Sequence, residues 1–222
     1  MVVLATKLYV RGAARERALD SLGSLIQNEL GDLDVSYEVG IRHDDFPTVT
    51  LEGPDETVAR NLLREEYGEI RPSYEAGDVA TGTLEAWDEE GFTLDAGQTV
   101  RVPADELGLG GGTPSQIRKR FGLVQHLPLR FVAGEDRRLA DAERDRLHGW
   151  LRADTGRVNV NSATRAEVRA TINRAGHAGD IVTVERLGLL EQSIVCKPGT
   201  DPPGLLASIG SYLDAELLAV VP

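Results

Sequence analysis

Residues 78–107 are the stretch that most restricts the fold. Three strand patterns, over 78–87, 90–97 and 98–107, follow one another with only acidic and glycine turns between them. Gly82 lies inside the first. Short strands joined by tight turns, with an interior glycine to permit a sharp bend, predict a small closed barrel. A further strand over 124–132, broken by Pro128, belongs at its edge.

On the N-terminal side, residues 2–10 have the pattern of a strand and residues 13–30 that of a helix. Ala18, Leu22, Leu25, Ile26 and Leu30 form one apolar face of that helix, and Gly31 takes the C-cap place. Strands follow over 35–41 and 47–51. A second helix opens at Pro54-Asp55-Glu56, with proline and acids in its first turn, and closes at Gly68. With a last strand over 69–74, the order is strand, helix, strand, strand, helix, strand, which is the ferredoxin-like arrangement.

The same order returns after residue 156. A strand over 157–161 leads to Thr164-Arg165-Ala166-Glu167, whose spacing is that of a capping box. Two strands over 180–190 and 192–196, a helix over 204–213 and a strand over 216–221 complete it. The fold class is therefore α+β: ferredoxin-like domains over 1–75 and 156–222 flank the barrel at 76–135. A connecting helix lies within 136–155.

The chain has 222 residues and a net charge of −12, which on its face argues against a nucleic-acid partner. Lysine occurs only at positions 7, 119 and 197, however, and aromatic residues make up 5%. Acid-rich, lysine-poor, aromatic-poor composition suits a salt-rich cytoplasm, so the distribution of charge says more than its total. Residues 117–174 carry 13 basic and 7 acidic side chains. A basic block in so acidic a chain marks a candidate polyanion surface. The competing reading is that these arginines pair with neighbouring acids along solvated helices.

Motifs for chemistry are sparse. The glycine-rich loop over 107–114 has no following Gly-Lys-Ser/Thr and is no phosphate loop. His43-Asp44-Asp45 is a turn whose three adjacent side chains cannot converge on one metal ion. His126, His148 and His177 stand alone in the sequence, without a recognisable nucleophile turn. Nothing here argues for an enzyme, a metal or a cofactor. Gly199-Thr200-Asp201 before a helix could offer amides to an anion, although an N-cap followed by proline accounts for it. No apolar run approaches the roughly 18 residues that span a bilayer, which predicts a cytoplasmic protein and no membrane partner. Cys196, the single cysteine, reads as a buried packing thiol.

Gly91-Phe92, Val100-Arg101-Val102 and Asp105-Glu106-Leu107 resemble the first half of S1-type OB-fold domains. That resemblance implies a face that binds single-stranded RNA, with Phe92 as the stacking aromatic and Arg101 where a histidine is usual; the other reading of Phe92 is a core residue of the barrel. The run Val158-Asn159-Val160-Asn161-Ser162-Ala163-Thr164 resembles the opening of a helix-hairpin-helix motif, but no matching hairpin follows. Across nearly the full length, stretches such as Arg42-His43-Asp44-Asp45-Phe46-Pro47 and Gly122-Leu123-Val124-Gln125-His126-Leu127-Pro128 resemble a domain-of-unknown-function family frequent in salt-loving archaea. A barrel after an α/β domain is also similar, at fold level only, to the stalk subunit of archaeal RNA polymerase.

These readings converge on a non-enzymatic RNA-associated binding protein, accessory to translation or transcription, with the ribosome or the transcription machinery as its setting. Phe92 would stack a base, and Arg101, Arg118, Lys119, Arg120, Arg130, Arg137 and Arg138 would hold phosphates. The alternatives are a protein-interaction scaffold docking on a larger complex and a small-molecule-sensing regulator.

Overall fold

The computed structural model describes residues 1–222 and shows a mixed α+β protein with three β-sheets and six α-helices. The N-terminal unit contains β1 (Val2–Val3), α1 (Ala13–Leu30), β2 (Ser36–Ile41), β3 (Pro47–Glu52) and α2 (Glu56–Tyr67). Its sheet runs β1-β3-β2, antiparallel throughout. Ala18, Leu22, Ile26 and Leu30 repeat every four residues, so one face of α1 is buried against Val49, Leu51 and Leu63.

Two strands expected here are shorter than their sequence pattern. Only Val2–Val3 pairs with β3, and the strand expected over 69–74 is a single bridge, Leu4 to Glu69. Beyond that bridge Pro72 has no N–H to continue a ladder. Residues 5–10 leave the sheet because their side chains are engaged elsewhere: Thr6, Lys7 and Tyr9 all contact other units.

The central unit contains β4 (Val79–Asp88), β5 (Gly91–Asp95), β6 (Thr99–Pro103), α3 (Pro114–Arg120), β7 (Pro128–Val132), β8 (Arg138–Leu139) and α4 (Asp141–Arg152). Its five strands form a curled antiparallel sheet in the order β6-β5-β4-β7-β8. β4 carries a register shift between Leu84 and Ala86. At Gly82 an added Cβ would lie 3.1 Å from both Leu94 Cβ and the Asp95 carbonyl, so glycine lets β5 approach where β4 curls. Pro128 stands at the first position of β7, where a missing N–H costs no ladder bond. Leu147 and Trp150 of α4 are buried in the same core as Phe92, Leu94, Phe121 and Phe131, so α4 packs as part of this unit.

The C-terminal unit contains β9 (Arg157–Val160), α5 (Arg165–Arg174), β10 (Ile181–Arg186), β11 (Gln192–Cys196), α6 (Pro202–Ile209) and β12 (Leu217–Val220). Its antiparallel sheet runs β10-β11-β9-β12. The capping box forms: Glu167 N–H donates to Thr164 Oγ1 at 3.3 Å, and Thr164 N–H to Glu167 Oε2 at 2.9 Å. Cys196 is buried in this core. The strand expected over 180–190 stops at Arg186, because Leu189 and Leu190 turn away and are buried in the N-terminal unit's core. Val220 enters the central core in the same way. No helix is long and apolar enough to cross a membrane.

Candidate functional site

The three units meet on a cluster of polar side chains. Lys7 Nζ lies 3.0 Å from Glu85 Oε1 and 2.7 Å from Asp95 Oδ2. Glu85 also receives the Thr83 hydroxyl at 2.7 Å and is 3.2 Å from His126 Nδ1. The Tyr9 ring stacks on the His126 ring with centroids 3.9 Å apart. Two backbone positions are in the left-handed region here, His126 at φ 67 and Ser162 at φ 57, where side chains are seldom tolerated unless the surroundings hold them. Burial alone would raise Glu85, but its bonds with His126, Thr83 and Lys7 outweigh that and hold it down at about 2. Burial would lower Lys7, yet Asp95 and Glu85 keep its ammonium above the usual range.

Beside this cluster a cleft of about 710 Å³ opens between the units, with Thr6 and Gly188 on its wall. Five arginines line it, and each has a carboxylate. Arg64 meets Glu69 at 2.8 Å, Arg71 meets Asp78 at 2.9 Å, and Arg186 pairs with Glu66. Arg130 and Arg146 share Glu143, which is 1% exposed. One carboxylate against two guanidiniums leaves that group net cationic.

Arg146 and Arg186 also border a second cavity, of about 440 Å³, between α4 and the edge strand β10. Arg146 and Arg186 keep their partners Glu143 and Glu66 here, and the cation without one is Arg165. Arg165, exposed at the first residue of α5, forms no ion pair, and the one acid on the wall, Glu185, is held by Arg157 at 3.0 Å. Trp150 lies behind, with the Arg146 and Arg157 guanidiniums 5.2 and 4.8 Å from its ring. Burial brings Arg157 below the usual guanidinium range while Glu185 opposes the change.

The residues expected to bind RNA do not form one face. Phe92 is 0% exposed inside the central core and cannot stack a base. Arg118 is 4% exposed, ion-paired with Glu216 and held 3.7 Å over the Trp87 ring, so it cannot reach a phosphate. The acid that absorbs it lies 98 residues away in sequence, outside any local count of charge. Arg120 donates to the carbonyls of Leu109 and Gly111 and fastens the glycine-rich loop. Arg101 is tied to Thr93 on the neighbouring strand β5 and to Asp88 at the end of β4, and Arg138 to Asp141. Lys119 and Arg137 are exposed without an acidic partner, and Arg130 alone of the eight lines the cleft. The histidines are not solitary either: His126 faces Glu85, and His177 faces Asp180 and Ser208.

In the turn at 43–45, Asp45 receives Arg11 through two bonds of 2.8 Å and Arg15 at 3.2 Å, so its role is to anchor the segment before α1. The side chain of Asp201 caps α6 by accepting from Gly204 N–H, ahead of Pro202.

Comparison with known proteins bears on the whole chain. Family models described as the DUF2110 N-terminal, central and C-terminal domains match residues 1–73, 74–151 and 155–221. No curated protein and no solved structure matches the chain.

Proposed function

Since the chain belongs to the DUF2110 family, whose description carries no activity, we propose from the site geometry that it is an RNA-associated binding protein. Its contact surface is the cavity between α4 and β10. The observation that carries this reading is Arg165, exposed and without an ion pair, beside Arg146, which shares Glu143 with Arg130, and Arg186, paired with Glu66, on a wall whose one acid is already bound by Arg157. Guanidiniums match phosphate oxygens in geometry, and three around one cavity suit successive phosphates of a single strand. The curled central sheet, read as an S1-type OB barrel between two ferredoxin-like units, supports the same partner by analogy of fold. A salt-rich archaeal cytoplasm fits the composition, and high salt there would weaken phosphate contacts.

The test is binding of single-stranded RNA by the full chain, followed by fluorescence anisotropy across a salt series. The variant with Arg146→Gln, Arg165→Gln and Arg186→Gln should bind roughly 10-fold or more weakly, with a flatter salt dependence. Equal binding by this variant, with its fold intact by circular dichroism, would overturn the reading.

A second reading, a scaffold docking on a larger complex, draws on β10 itself. It is an edge strand with Val182 61% exposed, the form that accepts an added strand from a partner. Affinity purification at native salt that recovers a stoichiometric protein and no RNA would favour it.

A further inference from the structure

His177 lies in the turn after α5, three residues before Asp180. Its Nδ1 is 2.7 Å from Asp180 Oδ2, and its Nε2 is 2.7 Å from Ser208 Oγ on α6. A carboxylate can only accept, so Nδ1 carries a proton, and in the neutral imidazole Nε2 then accepts the serine hydroxyl. This is the hydrogen-bond sequence of nucleophile, base and orienter that recurs on unrelated folds.

The serine's partner is the informative part. A serine inside a helix commonly returns its hydroxyl to the carbonyl four residues back, as Ser24 does to Asp20 in α1 at 2.9 Å. Ser208 instead directs its hydroxyl to the histidine. Fastening the turn would need only the His177–Asp180 bond, so the Ser208 contact is surplus to that structural role. His177 and Asp180 side chains are 28% and 49% exposed, and Ser208 is half-buried. His177 and Asp180 line a cavity of about 470 Å³ with Lys197 and Asp201, and Ser208 stands behind His177, outside that lining.

We propose that Ser208 and His177 form an acyl-transfer site for small carboxylic esters, with Asp180 as the positioning residue and Lys197, on the cavity wall, meeting an anionic group of the substrate. This goes beyond the RNA-associated reading and does not depend on it. Ser208 Oγ bonds to the carbonyl carbon while its proton passes to His177 Nε2 and the carbonyl π pair moves onto oxygen. Collapse breaks the bond to the leaving alkoxide, which takes the proton from Nε2. Water then attacks the acyl-serine with the same proton relay, releasing the acid and restoring the Ser208 hydroxyl. Asp180 holds the tautomer and stabilises the imidazolium.

The experiment exposes the full chain to a fluorophosphonate probe and locates the adduct by mass spectrometry, alongside turnover of p-nitrophenyl acetate. The expected results are an adduct on Ser208, loss of labelling and turnover in Ser208→Ala, and a fall of about 10²-fold or more in His177→Gln. Asp180→Asn should lower kcat with little change in KM, because the imidazole loses the acceptor that fixes its orientation. No Ser208 adduct on a folded chain, or turnover that persists in Ser208→Ala, would overturn the proposal. RNA binding should be unchanged in Ser208→Ala, which separates this result from the arginine-lined cavity.

Discussion

The Tyr9 hydroxyl donates to Glu191 Oε1 at 2.8 Å across 182 residues of chain, and its oxygen in turn accepts Ser162 N–H at 2.8 Å. One short run thereby ties the N-terminal unit to the C-terminal one. Glu191 is fully buried, and its second carboxyl oxygen has no hydrogen-bond partner. Burial pushes its carboxyl up to about 8, against the opposing bond from Tyr9. The same burial raises the Tyr9 hydroxyl above the usual phenol range.

Glu191 should therefore make stability fall with rising pH. The folded chain holds a proton that the unfolded chain gives up near its ordinary 4.5, so stability declines from about pH 4.5 to about 8 and then levels. Glu191→Gln keeps an acceptor for Tyr9 and removes the titration. Urea midpoints at pH 5 and pH 9 should differ less in this variant, with a gain of a few kcal/mol at pH 9. An unchanged pH slope would mean that Glu191 is ionised in the folded chain.

Glu85 has the opposite sign. Held at about 2, it contributes stability that is present above its ordinary 4.5 and lost as pH falls toward 2. Glu85→Gln should cost about 2 kcal/mol at pH 7, discounted for its partial exposure, and should flatten the acid limb. Acid titration followed by circular dichroism checks it, and an acid limb as steep as the wild type's would refute it.

Phe92→Ala tests what the central aromatic does. In the core it should cost roughly 3–5 kcal/mol, and under the proposed RNA-associated function the fraction that remains folded should bind RNA no more weakly than the wild type. A stable variant with weakened RNA retention would instead restore Phe92 to the surface role implied by its sequence position.

Phe92 also shows where a sequence stops being legible. The period-2 pattern around it marks a strand correctly, but either face of a curled sheet satisfies that pattern, and Phe92 lies on the inner one. Local signals were legible because local bonds produce them: the Thr164 capping box, the Asp201 cap and the apolar face of α1 all close within a few residues. The junction was not. Lys7, Glu85, His126 and Glu191 lie 41 or more residues from one another, and no spacing marks them. Strand shortening at 5–10 was hidden for the same reason, since those residues look like a strand until their distant partners are known. The pairing of Ser208 with His177 likewise spans 31 residues and two elements.

Arg118 and Lys119, adjacent in α3 and equivalent by charge count, should behave very differently. Arg118 is buried, ion-paired with Glu216 and stacked on Trp87, while Glu216 Oε2 also accepts Gln125 N–H at 2.8 Å. Removing one partner of a buried pair leaves the other uncompensated, and here it also unpacks the contact between the central and C-terminal units. Glu216 is 33% exposed, so water can recover part of that loss. Arg118→Gln should therefore destabilise by about 2–3 kcal/mol, below the full cost of a buried pair. Lys119→Gln removes an exposed charge without a partner and should stay within about 0.5 kcal/mol. Paired urea denaturation measures both. If Arg118→Gln unfolded at the wild-type midpoint while RNA affinity fell, the pair with Glu216 would contribute nothing to stability and Arg118 would act as a phosphate ligand.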